Sequence, residues 1–203
     1  MATERDISIR RGSSRRIVVR WETEPYLFAA ISSITRAAPA VLNTQQPHGL
    51  PDGWNVAVVD AQGMTQLNAK SNPPKPTDFR RARVRSTTQI EFNETSSAQF
   101  GAHRANTGFL QWLTPHELLD YEARMDIKDR VGGTILMTLT SDNGRILVSD
   151  SEKTITLVFQ PADTNDVPWS TGVYDLEMVA PGGFVTPILS GSFELTTQVT
   201  TTE

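Results

Sequence analysis

The sequence predicts an all-β protein, a β-sandwich split in two by a small β-barrel inserted into it. Three observations carry this expectation. Apolar and polar residues alternate with a period of two along much of the chain, the signature of strands with one wet face. Such runs are short and are separated by Gly, Pro, Asn and Asp at close intervals, as in antiparallel sandwiches and barrels. Between about residue 29 and residue 116 the texture changes to briefer strands rich in Pro, Asn, Gln and Ala, which reads as a unit of its own.

Taken in chain order, DISIRRGSSRRIVVRWE predicts a hairpin: Ile7 and Ile9 on one strand, a turn at Gly12 to Ser14, then Ile17, Val19 and Trp21 on one face of the second. The barrel segment supplies ITRA, AVLN, WNVAVVD, RARVRS, TQIEFN and GFLQW as strands. KSNPPKPTDFRR is a loop, because proline cannot donate to a ladder. Met64 and Leu67, three apart in GMTQLN, predict one helical turn plugging a barrel end. HELLDYEA is the best helix candidate and otherwise leads straight into the strand after Tyr121. In YEARMDIKD, Tyr121, Ala123, Met125 and Ile127 alternate with Glu122, Arg124, Asp126 and Lys128. TILMTLT continues the period, and SDNG at Ser141 to Gly144 is turn chemistry that tolerates positive φ. RILVSD, ITLVF, GVYDLEMVA and SGSFELTTQV complete the strands. The flanks, residues 1–28 and 117–203, form one discontinuous sandwich, and 29–116 form the barrel between its second and third strands. The end, TTQVTTTE, is polar and is expected to be flexible or to order only on assembly.

Composition removes several chemistries. The chain has no cysteine, which excludes thiolate catalysis, disulfides and Cys-based metal sites. A formal charge of −4, from 19 basic and 23 acidic residues, argues against nucleic-acid binding. No apolar run approaches the roughly 20 residues that span a bilayer, and MATERDISIRR has no apolar core of a secretory signal, so no membrane partner is expected.

The stretch HGLPDGWNVAVVDAQGMTQLN, His48 to Asn68, has the look of an active-site rim, but no base, orienting group or metal partner stands near His48 at local spacing. Its residues His48, Gly49, Leu50, Gly53, Val56, Val58, Gly63, Met64, Leu67 and Asn68, followed by RARV and TQIEF, resemble the β-barrel module related to the first catalytic-cysteine half-domain of ubiquitin-activating enzymes, which also occurs in bacteriophage structural proteins. The flanks, with Trp169, Gly172, Tyr174, Asp175, Leu176 and Glu177, resemble the immunoglobulin-like N-terminal domain of phage baseplate upper proteins. The two resemblances imply a non-enzymatic virion protein of a tailed phage, in the baseplate or tail tip, made in the host cytoplasm and assembled into a symmetric homo-oligomer beside other tail proteins and fibres, with no cofactor. A host carbohydrate-binding module and a head decoration or neck protein are the alternatives.

Candidate contact residues are Arg10, Arg11, Arg15 and Arg16 in RRGSSRR, which together fit phosphate or an acidic partner protein, or serve only to keep an edge soluble. Arg80 to Arg85, RRARVR, reads as an exposed strand. His103 and His116 share no metal-ligand spacing with His48, and DTND lacks the glycine and glutamate of a calcium loop. Trp21, Trp54, Trp112 and Trp169 stand at strands, and Trp54 and Trp169 are the best placed to stack on a sugar.

Overall fold

The computed structural model describes residues 2–197; the last six residues of the polar C-terminal segment lie outside them. The strands run β1 (Thr3–Glu4), β2 (Ile7–Arg10), β3 (Arg15–Val19), β4 (Glu22–Ile34), β5 (Ala40–Thr44), β6 (Asn55–Val59), β7 (Arg80–Arg81), β8 (Arg83–Ser86), β9 (Gln89–Phe92), β10 (Phe109–Pro115), β11 (Glu122–Lys128), β12 (Ile135–Thr140), β13 (Ile146–Ser149), β14 (Thr154–Phe159), β15 (Thr171–Val179) and β16 (Val185–Thr196). Helix is confined to single turns at Thr65–Leu67, Pro76–Asp78 and Pro161–Thr164. The protein is all-β, and the chain divides into two compact units, Met1–Trp21 with His116–Glu203, and Glu22–Pro115.

The first unit is a sandwich. One sheet has the order β1–β16–β15–β11–β12 with β2 also on β16, and the other has the order β3–β14–β13. The alternation of Tyr121 to Lys128 is realised in β11, where Ala123, Met125 and Ile127 are buried and Glu122 and Arg124 are exposed. Facing them across the core stand Ile17, Val19, Ile155, Leu157 and Phe159 of the smaller sheet, each such side chain contributing about 1.5–3 kcal/mol by leaving water.

Two expectations are corrected in this unit. The opening segment is not a hairpin: β2 runs parallel to β16, whereas β3 is antiparallel to β14 in the other sheet. Both strands send their isoleucines inward, but from opposite walls of the sandwich, and Gly12 at φ +64° turns the chain between them. Periodicity reports which face is buried and is silent about which sheet does the burying. HELLDYEA forms no helix: it turns at Leu119 and Asp120, the latter at φ +58°, and, as its other reading has it, leads straight into β11.

The second unit is one curled sheet of order β7–β6–β10–β4–β5–β9–β8. Its two edge strands, β7 and β8, are consecutive pieces of one segment flanking Ala82. Ala82 donates its N–H to Trp54 O and accepts the Gly53 N–H, both at 2.8 Å, so the sheet returns on itself as a nearly closed barrel. Trp54, Val56, Val58, Ile90, Phe92 and Leu110 fill it, and the turn Thr65–Leu67 plugs it with fully buried Met64 and Leu67.

The strand expected at ITRA is not formed: Ile34 is the last residue of the much longer β4, and Thr35 to Ala37 lie outside any strand. Pro25 interrupts any alternation there and sits at a register shift where Leu113 faces Tyr26 but Thr114 faces Thr23, a bulge that accommodates a residue without an N–H. Because β4 belongs to the barrel from Glu22 onward, the unit begins at Glu22 and not at 29. At the crossing, Pro115 faces Glu22 within the barrel ladder, and the His116 N–H bonds Trp21 O at 2.9 Å within the sandwich unit. The chain therefore leaves and re-enters the sandwich unit at neighbouring backbone positions, the geometry that lets a domain be inserted.

Candidate functional site

The His48 to Asn68 motif is built as follows. His48 is 6% exposed, its Nδ1 accepts the Leu50 N–H at 3.0 Å, and its Nε2 lies 3.0 Å from Ser86 O, which fixes the ring as the neutral Nε2–H form. Asp52 Oδ1 accepts the Val84 N–H at 2.8 Å. Gly63, at φ +81°, lies so close to Ala102 that an added Cβ would fall 2.0 Å from its carbonyl oxygen. Asn68 bonds both backbone groups of Ala61, its Oδ1 accepting the N–H and its Nδ2 donating to the C=O, each at 3.0 Å. The side chains of His48, Asp52 and Asn68 are thus spent on the barrel's own backbone. They join the turns to β8 and set the plug in place.

Burial pulls the His48 pKa below the usual histidine value, outweighing the opposite pull of the backbone carbonyls of Ser86 and Gln89. The unfolded chain takes up a proton near pH 6.5, the folded ring only at lower pH, so the unfolded state binds more protons in that window and stability falls as pH decreases through it. His116 is shifted in the same direction by burial, with Glu117 opposing and Lys153 adding to it, so the contribution of His48 is read by difference. His48→Asn is expected to flatten part of the loss in unfolding midpoint between about pH 7 and pH 5. An unchanged pH slope in the variant would show that the ring does not titrate with folding.

Of the four arginines in RRGSSRR, the structure separates one from the rest. Arg10, Arg15 and Arg16 are exposed. Arg11 is turned to the segment before β15, donating to Val167 O at 2.8 Å, Trp169 O at 2.5 Å and Thr164 O at 3.5 Å, while the Gly12 N–H bonds Thr164 Oγ1. Its guanidinium closes backbone carbonyls of its own unit, a role that no local feature distinguishes from that of Arg10. In RRARVR, Arg83 and Arg85 are exposed and both reach Glu91, at 3.3 and 3.2 Å, but Arg80 is half-buried and donates to Leu67 O at 2.9 Å, tying the closing strand to the plug.

The tryptophans offer no sugar platform of the expected kind. Trp54 is fully buried, with Nε1 donating to Leu113 O at 3.1 Å. Trp169 is half-buried and tilts onto Phe193 at 5.8 Å, and Trp21 stacks on His116 at 3.7 Å. The exposed rings are phenylalanines instead. Phe28 is 57% and Phe109 43% exposed. Phe28 faces Gln111, and Phe109 faces Ala30 on the adjacent strand, so the two rings are diagonal neighbours on the outer wall of the barrel. With Val59, Asp60, Lys70 and Asn72 they line an open groove of about 540 Å³. In a period-two pattern an outward Phe cannot be told from an inward one until the face is known, so sequence reasoning missed this surface.

Each histidine is engaged locally, His103 with Thr107 O at 3.0 Å and His116 with Tyr121 Oη at 3.2 Å. Asp163 of DTND accepts the Gln160 N–H and pairs with Arg145, each at 2.6 Å, so it caps a turn. Among the described residues no group of three or more His, Asp or Glu side chains is placed to hold a metal, and no helix is long and apolar enough to cross a membrane. No family model and no curated protein sequence matches the chain.

Proposed function

We propose that the protein is a non-enzymatic structural subunit of a tailed-phage particle, a baseplate or tail-tip component that links the tail core to fibres or to neighbouring ring proteins by docking rigid β surfaces. The observation that carries this reading is the division of labour just described. His48, Asp52 and Asn68 of the motif are consumed by the fold, while apolar rings and cations, Phe28, Phe109, Arg10, Arg15 and Arg16, face outward where a neighbour meets them. Repetition of such contacts around a symmetric ring multiplies weak pairwise affinities into stable assembly.

The test separates surface from scaffold. Arg10→Glu, Arg15→Glu and Arg16→Glu combined are expected to leave folding intact and to reduce incorporation into particles, measured by the copy number of the subunit in purified virions. Normal incorporation would remove these arginines from the docking surface. Arg11→Ala behaves differently: leaving backbone carbonyls without their charged donor is expected to lower sandwich stability by about 2–3 kcal/mol, seen as a reduced denaturation midpoint whether or not a partner is present.

A second reading has one observation in its favour. The groove beside Phe28 and Phe109 combines aromatic faces with Asp60, Lys70 and Asn72, a lining suited to a host-surface glycan. Glycan binding by the purified chain that is lost in Phe28→Ala and Phe109→Ala would select it, and no binding selects docking.

A further inference from the structure

Strand β12 ends the larger sandwich sheet, so among the described residues one of its sides has no strand neighbour. Its sequence, ILMTLT, contains no charge and no proline, and Ile135 is exposed. Such an edge is a template for pairing with another chain. Its hydrogen-bonding pattern is set by β11: Met125 faces Leu139 and Asp126 faces Thr138. The Ser141 N–H bonds Ala123 O, which makes the odd-numbered β12 residues the paired ones there and turns the backbone groups of Thr138 and Thr140 away from the sheet.

Three of those four outward groups, all but the Thr138 N–H, are already occupied. Asn143 Oδ1 accepts the Thr140 N–H at 2.9 Å and the Arg145 N–H at 3.1 Å, and Asn143 Nδ2 donates to Thr138 O at 3.1 Å. Thr140 O in turn accepts the Arg145 N–H at 3.2 Å. One side-chain amide thereby supplies the donor and the acceptor that a further strand would present to Thr138 and Thr140. The reverse amide orientation would set donor against donor, so the arrangement has one sense. The Asn143 N–H also bonds Thr140 Oγ1 at 3.0 Å, holding the amide against the edge.

We propose that Asn143 is an edge guard: its amide imitates the backbone of a missing strand and keeps a second copy of this chain from pairing with β12. The occupant it excludes is the same strand of another molecule, since two identical uncharged edges meet antiparallel about a two-fold axis without a charge clash. The inference stands independently of the virion reading, because it concerns the isolated chain. It assigns the SDNG turn a second task beyond reversing the chain.

The experiment compares self-association by sedimentation over a range of concentrations, with circular dichroism to verify folding. Wild type is expected to show no association that depends on β12, and Asn143→Ala is expected to pass from one toward two chains per particle as concentration rises. Thr138→Pro removes the outward N–H without touching a backbone bond to β11, losing only the side-chain bond from Thr138 Oγ1 to Asp126 Oδ1, so the double variant Asn143→Ala with Thr138→Pro, its folding verified in the same way, is expected to return to one chain. If Asn143→Ala does not fold, Asn143→Asp serves in its place, as it retains the acceptor that holds the turn but loses the donor to Thr138 O; it is expected to associate. A folded Asn143 variant that associates no more than wild type overturns the proposal. So does association that survives Thr138→Pro, or wild-type association that Thr138→Pro abolishes.

Discussion

Gly63→Ala is expected to destabilise the barrel by about 2–5 kcal/mol, the sum of a left-handed backbone penalty of about 1–2 kcal/mol and the cost of forcing a methyl group into occupied space, about 1–3 kcal/mol. The added carbon would meet Ala102 O, Ala102 C and Arg104 N, all backbone atoms that cannot rotate aside. Gly49→Ala is the control. It shares the positive φ, +66°, but nothing lies within 4 Å of the added carbon, so only the backbone penalty of about 1–2 kcal/mol applies. Chemical denaturation followed by the fluorescence of Trp54 and Trp112 measures both. Equal losses in the two variants would show that the approach of residues 61–63 to 101–104 is not what requires glycine.

Trp54→Ala is expected to cost the barrel about 3–5 kcal/mol. The ring is among the largest fully buried side chains, and its Nε1 holds Leu113 O on β10 while its backbone C=O holds Ala82 on the closing segment. Removing it empties the centre of the barrel and unfastens Leu113 at once. Trp54→Phe restores most of the volume without the N–H, so its loss is expected to be smaller, about 1–2 kcal/mol. If instead Trp54→Ala left the denaturation midpoint unchanged and altered only ligand binding, the residue would belong to a surface and the barrel assignment would be wrong.

How legible the candidate surfaces were depends on what kind of information each needs. The plug was legible because Met64 and Leu67 lie three residues apart, and a single helical turn places both on one side whatever surrounds them. The structural role of His48 was legible in the negative, since no reactive partner stands at local spacing. Arg11 was not legible: it lies beside Arg10 in the same run, and its partners Val167 and Trp169 are more than 150 residues away. The exposed Phe28 and Phe109 were missed for a related reason. Phe28 lies in β4, which carries Pro25 and no alternation, because one of its ends pairs across a bulge with β10, the strand that Phe109 begins, while the other pairs with β5.

By itself the sequence determined the all-β class, the positions of most strands and turns, and the change of texture that marks the barrel. These follow from period-two burial and from the φ demands of Gly, Asn and Asp, which act over a few residues. Only the tertiary structure decided that β2 and β3 part to opposite sheets, that the two halves of RRARVR close the barrel around Ala82, and which aromatic rings face water. Each of those is settled by pairing between segments remote in the chain, and backbone hydrogen bonds, being the same for every residue, leave no mark in the sequence of which partner they will find.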